Sequence, residues 1–176
     1  MKRLSKKGQV WVETVIYTLI GLAIMGLILT MAKPKIDQAK DEIVIEQAIE
    51  AMKTINAKIY EVQRAAGNKR AVDLTIGRGK LIVDTDEDKI SWEMDASYAY
   101  TEEGLAVPLG GLNVTTVRGD PWKVTLVMDY NVDLQYDTQS TGERGISEAP
   151  TAYRLMIENK GKDPTSGDFI IDIREA

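Results

Sequence analysis

Residues 10–31 form an apolar run whose single charged side chain is Glu13. Coiled as a helix, a run of this length extends about 33 Å, against a bilayer hydrocarbon core of about 30 Å. The pattern predicts a membrane-spanning helix over residues 10–32. Lys33-Pro34-Lys35 then supplies two charges and a proline able to kink a continuous helix at the boundary. Beyond it, Ile45, Ala48, Met52, Ile55, Ile59, Val62 and Ala66 recur at spacings of three and four, one apolar seam opposite Lys53 and Asn56. Ile36, Ala39 and Ile43 share that spacing at a different phase, so the buried face rotates where the helix changes partners. With Gly67 as a stop signal, the reading is one long N-terminal helix over 9–67. Its outer seam suits either a helix-on-sheet core or a coiled-coil partner.

From Ala71 onward the period shortens to two. Candidate strands lie at 72–76, 80–84, 89–100, 112–117, 122–134, 152–158 and 169–174, separated by turn residues. These seven predict an all-β domain over 68–176, an immunoglobulin-like sandwich being the first choice. No second helical pattern interrupts them, which argues against a parallel α/β enzyme fold. The predicted class is therefore α+β, a long helix followed by a β-sandwich.

Charge orients this arrangement. Lys2, Arg3, Lys6 and Lys7 precede the apolar run, and an excess of Lys and Arg on a short flank keeps that flank cytoplasmic. The β-domain is then expected outside the cell. The chain carries 22 basic and 27 acidic side chains. Four of the basic ones precede the run, so the part beyond the membrane is strongly acidic and unsuited to nucleic acid. With no cysteine and no histidine, disulfides, thiolate nucleophiles, imidazole bases and the commonest zinc ligands are absent. No cofactor is expected.

A secretory signal has an apolar region of about 7 to 15 residues and a small-residue cleavage site. This run is longer, and Thr30-Met31-Ala32-Lys33 is a poor site. Instead, Lys6-Lys7-Gly8 followed by Gln9-Val10-Trp11-Val12-Glu13 resembles the class III signal peptide of type IV pilin-like proteins, especially archaeal type IV pilins and archaellin-like chains. The resemblance covers the first 32 residues closely and the rest of the helix more loosely. It implies that residues 1–8 are a signal peptide, cut between Gly8 and Gln9 by a membrane prepilin peptidase, and that Glu13 becomes the fifth residue of the mature chain. It further implies a self-assembling filament subunit, drawn from the membrane into a helical core by an assembly ATPase and platform. Archaeal members often carry serine where this chain has Trp11.

Glu13 has a physical reading beside that resemblance. A charged side chain at a helix centre in lipid costs about 2.5 to 3.5 kcal/mol, less near the ends, and usually faces a partner. Cleavage after Gly8 would create an amine four residues upstream of Glu13, and a neighbour's amine meeting this carboxylate would fix axial register between subunits. The alternative is that Glu13 snorkels to the interface or sits where the helix macrodipole favours negative charge. Thr14, Thr18, Gly21, Ala23 and Gly26 permit close helix approach, although no Gly-x-x-x-Gly pair occurs. Two other functions fit the same N-terminus: an uncleaved single-pass surface module binding a ligand through its β-loops, and a pseudopilin or minor pilin of a secretion or assembly system.

The β-region offers three further candidates. Asp84, Asp86, Glu87 and Asp88 supply oxygen ligands, but Lys89 stands where an EF-hand needs its glycine, so a hairpin turn is expected. Asn113-Val114-Thr115 is an N-glycosylation sequon. Residues 135–150, rich in polar residues and glycine, read as a long exposed loop. Glu93 and Asp95 alternate with apolar positions, the pattern of a solvent-facing strand edge. No nucleophile elbow, phosphate loop or metal-binding histidine pair appears, so catalysis is not expected.

Overall fold

The structure, a computed structural model, describes residues 6–176, with side chains from Val10 onward. Residues 1–5 of the expected signal peptide, and the side chains of Lys6, Lys7 and Gln9 around the expected cut after Gly8, lie outside the described residues.

Among the described residues one helix, α1 (Lys6–Gln63), is followed by ten strands. They are β1 (Lys69–Leu74), β2 (Lys80–Asp84), β3 (Lys89–Ala96), β4 (Val107–Leu109), β5 (Leu112–Val117), β6 (Trp122–Asp129), β7 (Asp133–Tyr136), β8 (Glu143–Ser147), β9 (Tyr153–Lys162) and β10 (Phe169–Glu175). The chain divides into two compact units, Met1–Lys40 and Asp41–Ala176. Among the described residues the first is helical, with Pro34 inside α1.

In the second unit the outer seam is a helix-on-sheet core. Ile45, Ala48, Met52, Ile55, Ile59 and Val62 are buried, joined by Ile49, in one cluster with Val72, Leu155, Ile157, Ile171 and Ile173 from one sheet and Leu81, Trp92, Leu112, Val124 and Leu126 from the other. Ala66, read as part of the seam, lies beyond the helix end and is exposed. Both ends of this helical segment are pinned by buried polar side chains. At its start, Asp41 is 5% exposed, accepts a hydrogen bond from the Ser97 N–H at 2.6 Å and pairs with Arg78. The Arg78 carbonyl in turn accepts from Trp92 Nε1 at 3.0 Å. At its end, the fully buried Asn159 donates its side-chain amide to the Val62 carbonyl at 3.0 Å. That carbonyl is one of those a helix C-terminus leaves unsatisfied.

The sheets have the orders β1-β9-β10-β7 and β4-β5-β6-β3-β2-β8. All pairs are antiparallel except β10 with β7. The expected helix followed by a two-sheet all-β region is therefore present, with ten strands rather than about seven, in an order of its own rather than the ABED and CFG sheets of an immunoglobulin constant domain.

Three local expectations need correction. Residues 122–134 are two strands, β6 and β7, in different sheets. The break at Tyr130 to Val132 is hidden because Val132 and Leu134 continue the apolar alternation into the same core. Residues 135–150 are not one loop: they hold the end of β7, a tight turn and the edge strand β8. In that turn Tyr136 and Gln139 exchange backbone hydrogen bonds at 3.0 Å, and Asp137 and Thr138 take φ of 51° and 65°. Asp172, from β10, accepts the Thr138 N–H at 2.9 Å and so holds a β-branched residue in a conformation it disfavours. Finally, Glu93 and Asp95 do face solvent, but β3 lies between β2 and β6 and is not an edge.

Candidate functional site

Along α1 every side chain from Val10 to Met31 is exposed, Trp11 and Tyr17 at 71% and 72%. None of the most apolar window is buried against the rest of the chain, and this is one helix long and apolar enough to cross a membrane. A helix apolar on all sides, over about six turns, is stable in lipid or among other apolar surfaces, and not in water.

Its hydroxyl groups are adapted to such surroundings. Thr14 Oγ1 donates to the Val10 carbonyl at 2.9 Å, Thr18 to the Thr14 carbonyl at 2.8 Å, and Thr30 to the Leu27 carbonyl at 2.8 Å. Each of these three threonine O–H groups is thereby satisfied inside the helix and is not presented bare to lipid. An added Cβ at Gly21 or Gly26 would meet nothing within 4 Å, so both positions offer open helix surface to a close neighbour.

Glu13 is exposed on this helix. It follows Gln9 by four residues, about one turn, so the two positions share a face. Because α1 already includes Lys6, Glu13 in the uncut chain lies beyond the first turn, where the macrodipole has faded.

Asn113 belongs to the other unit. It is exposed on β5, opposite Pro108 of β4 and Val127 of β6. Thr115 shares its face of the strand by the two-residue period. The sequon is therefore accessible, though in a strand rather than a loop.

The acidic turn between β2 and β3 is a hairpin whose carboxylates bind their own chain. Asp84 Oδ1 accepts the N–H groups of Asp86 and Glu87 at 3.0 and 3.1 Å, and its other oxygen lies 3.3 Å from Lys89 Nζ. Asp86 accepts from the Gly142 N–H at 3.1 Å and Asp88 from the Leu134 N–H at 2.8 Å. The turn thus ties β2 and β3 to β7 and β8.

Burial raises the Asp84 carboxyl, but hydrogen bonds from Glu87, Lys89 and Asp86 outweigh it and hold the group below its ordinary range. Near this turn, Asp88, Asp133, Asp163 and Asp168 line one cleft, which spacing along the chain gave no signal for. Burial, then the neighbouring carboxylates, pushes Asp133 up. Among the described residues no group of three or more His, Cys, Asp or Glu side chains is arranged to hold a metal ion.

No protein-family model, curated protein or solved structure matches this chain.

Proposed function

We propose that the chain is the structural subunit of an extracellular type IV pilus-like filament. It is made as a membrane precursor, cut between Gly8 and Gln9, and polymerised through its N-terminal helix, leaving the β-domain outside the cell. The observation that carries this reading is the uncovered apolar surface of residues 10–31 in a chain whose β-domain core draws on residues from Ile45 onward. Such a surface needs lipid before assembly and like surfaces after it.

Packing helices against one another replaces lipid contacts with closer van der Waals contacts. Glu13 then sets their offset, because a carboxylate in that environment gains most when it meets a neighbour's new terminal amine. The assembly partners are other copies of the chain, the prepilin peptidase, and an assembly ATPase with its platform.

An uncleaved membrane-anchored surface module draws on the same apolar helix but leaves the order Lys6-Lys7-Gly8-Gln9 ahead of it unused, and so ranks second. Intact mass and N-terminal sequencing of envelope protein separate the two. The filament reading requires a chain starting at Gln9, found in ordered polymers by electron microscopy. A chain retaining residues 1–8 and never found in polymers refutes it. Glu13→Gln is expected to be cut normally and to fail in polymerisation, and normal fibre yield from that variant would remove the amine–carboxylate pairing.

A further inference from the structure

On the helical part of the second unit, Glu42, Glu46 and Glu50 recur at every fourth position and are all exposed. One carboxylate per turn on a single face works against the helix that carries it, and Lys53, 3.8 Å from Glu50, offsets only one of the three. Beside this row runs a groove of about 490 Å3 that includes Ile43, Glu46, Glu50, Tyr100 and Leu109. Ile43 is 55% exposed and Leu109 37%, so apolar surface lies open next to concentrated negative charge. The Tyr100 hydroxyl is pushed up by burial and by Glu46 and Glu42, which agrees with those acids facing it.

Residues 33–40 have the complementary pattern. Lys33, Lys35 and Lys40 are exposed, as are Ile36 and Ala39 between them, and Asp37 is the only acid in the segment.

We propose that, in the assembled filament, this groove receives the 33–40 segment of a second copy of the chain. Ile36 and Ala39 rest against Ile43, Tyr100 and Leu109, while the lysines face the glutamate row. The inference rests on the filament reading and extends its interface. The receiving surface lies beyond the apolar run, and the inserted segment directly follows the part already packed among neighbours. In parallel copies these contacts require a displacement of about ten residues along the helix, against four between Gln9 and Glu13. The two contacts therefore join different pairs of neighbours.

The chain has no cysteine, so a disulfide reports only an introduced pair. Two alleles, Lys35→Cys and Glu46→Cys, are co-expressed at full length and the isolated filaments are oxidised. The expected product is a dimer that requires both alleles. Filaments that assemble and contain both variants yet yield no such dimer overturn this inference and leave the filament reading standing. Absence of filaments from the wild-type chain refutes the filament reading itself, and this inference with it.

Charge reversal gives a second readout. Glu46→Lys with Glu50→Lys is expected to lower filament number at least tenfold, and Lys35→Glu with Lys40→Glu in the same chain to restore it. Unchanged filament number, or a loss that the compensating pair does not rescue, overturns the proposal. So does cross-linking of Glu46→Cys to a different envelope protein in place of a second copy.

Discussion

Replacing Asp41 by alanine tests how the β-domain holds its helical segment. Asp41 is almost fully buried and joins three elements: it sits on α1, pairs with Arg78 from the β1–β2 connection, and accepts the N–H of Ser97 at the end of β3. Alanine removes both interactions and leaves the Ser97 N–H and the Arg78 guanidinium without this acceptor. Losing one partner of a fully buried pair costs about 3–5 kcal/mol. Here the Arg78 side chain is 38% exposed and can rehydrate, which reduces that charge's share.

The stranded backbone donor adds about 1–3 kcal/mol. The two considerations together put Asp41→Ala at about 2–4 kcal/mol. Urea unfolding of the full-length chain in detergent, followed by circular dichroism, measures it, and Asp41→Asn should lose about half as much because it retains an acceptor for Ser97. Repeating Asp41→Ala in an Arg78→Ala background isolates the ion pair. A cost below about 0.5 kcal/mol, typical of an unengaged surface position, would refute the assignment of Asp41 as the clamp.

Other outcomes follow from the same physics. Asn159→Ala should destabilise by about 2–4 kcal/mol, since the Val62 carbonyl and the Gly161 N–H both lose a buried partner; the same urea titration measures it. Met52→Ala, at a fully buried position, should cost about 2–5 kcal/mol by leaving a cavity, read as a lowered unfolding midpoint with an unchanged slope. The β-domain should lose stability in acid. Asp41, Asp84 and Glu158 have carboxyls held below their ordinary range in the folded chain, so their contribution is present above the unfolded values of 3.8 and 4.5 and disappears as pH falls through the lowered ones. Asp133, pushed up, acts in the opposite direction, and a stability that rises steadily from pH 5 to pH 2 would contradict the balance. If Asn113 carries a glycan, Asn113→Gln should lower the intact mass by that of the glycan with no change in unfolding midpoint; a mass lowered to the same extent in wild type by mild deglycosylation checks the assignment.

The helix and its buried seam were legible because a period of 3.6 persists over many turns, and local repetition needs no knowledge of partners. Sheet membership was not. Residues 122–134 read as one strand since Val124, Leu126, Met128, Val132 and Leu134 are all core residues, and nothing in an alternation records that the chain has crossed from one sheet to the other. Strand β4 escaped notice because Pro108 stands at its centre, a residue tolerated only where no ladder partner is needed on one side. Strand β8 was missed for its polar edge composition, with Ile146 its one buried residue. The proposed processing residues and the proposed role of Glu13 rest on order along the chain and the resemblance it carries. Glu42, Glu46 and Glu50 repeat at every fourth residue, but the groove beside them depends on Tyr100 and Leu109, which only the fold brings there.

The arrangement separates two kinds of defect. The core of the second unit draws its helical members from Ile45 to Val62, and the apolar run ends at Met31, so no buried contact of that core depends on residues 10–31. Substitutions at Glu13, Gly21 or Gly26 should therefore leave β-domain unfolding unchanged while, on the proposed filament function, altering membrane residence and polymer yield. Substitutions at Asp41 or Asn159 should do the reverse, lowering stability first and polymer yield only through loss of folded subunits. Glu46 and Glu50 belong to neither class, being exposed on a helix whose opposite face is core. Reversing their charge removes no buried contact. A polymer defect there with intact folding would point to an intersubunit surface, because neither of the other two mechanisms reaches that position.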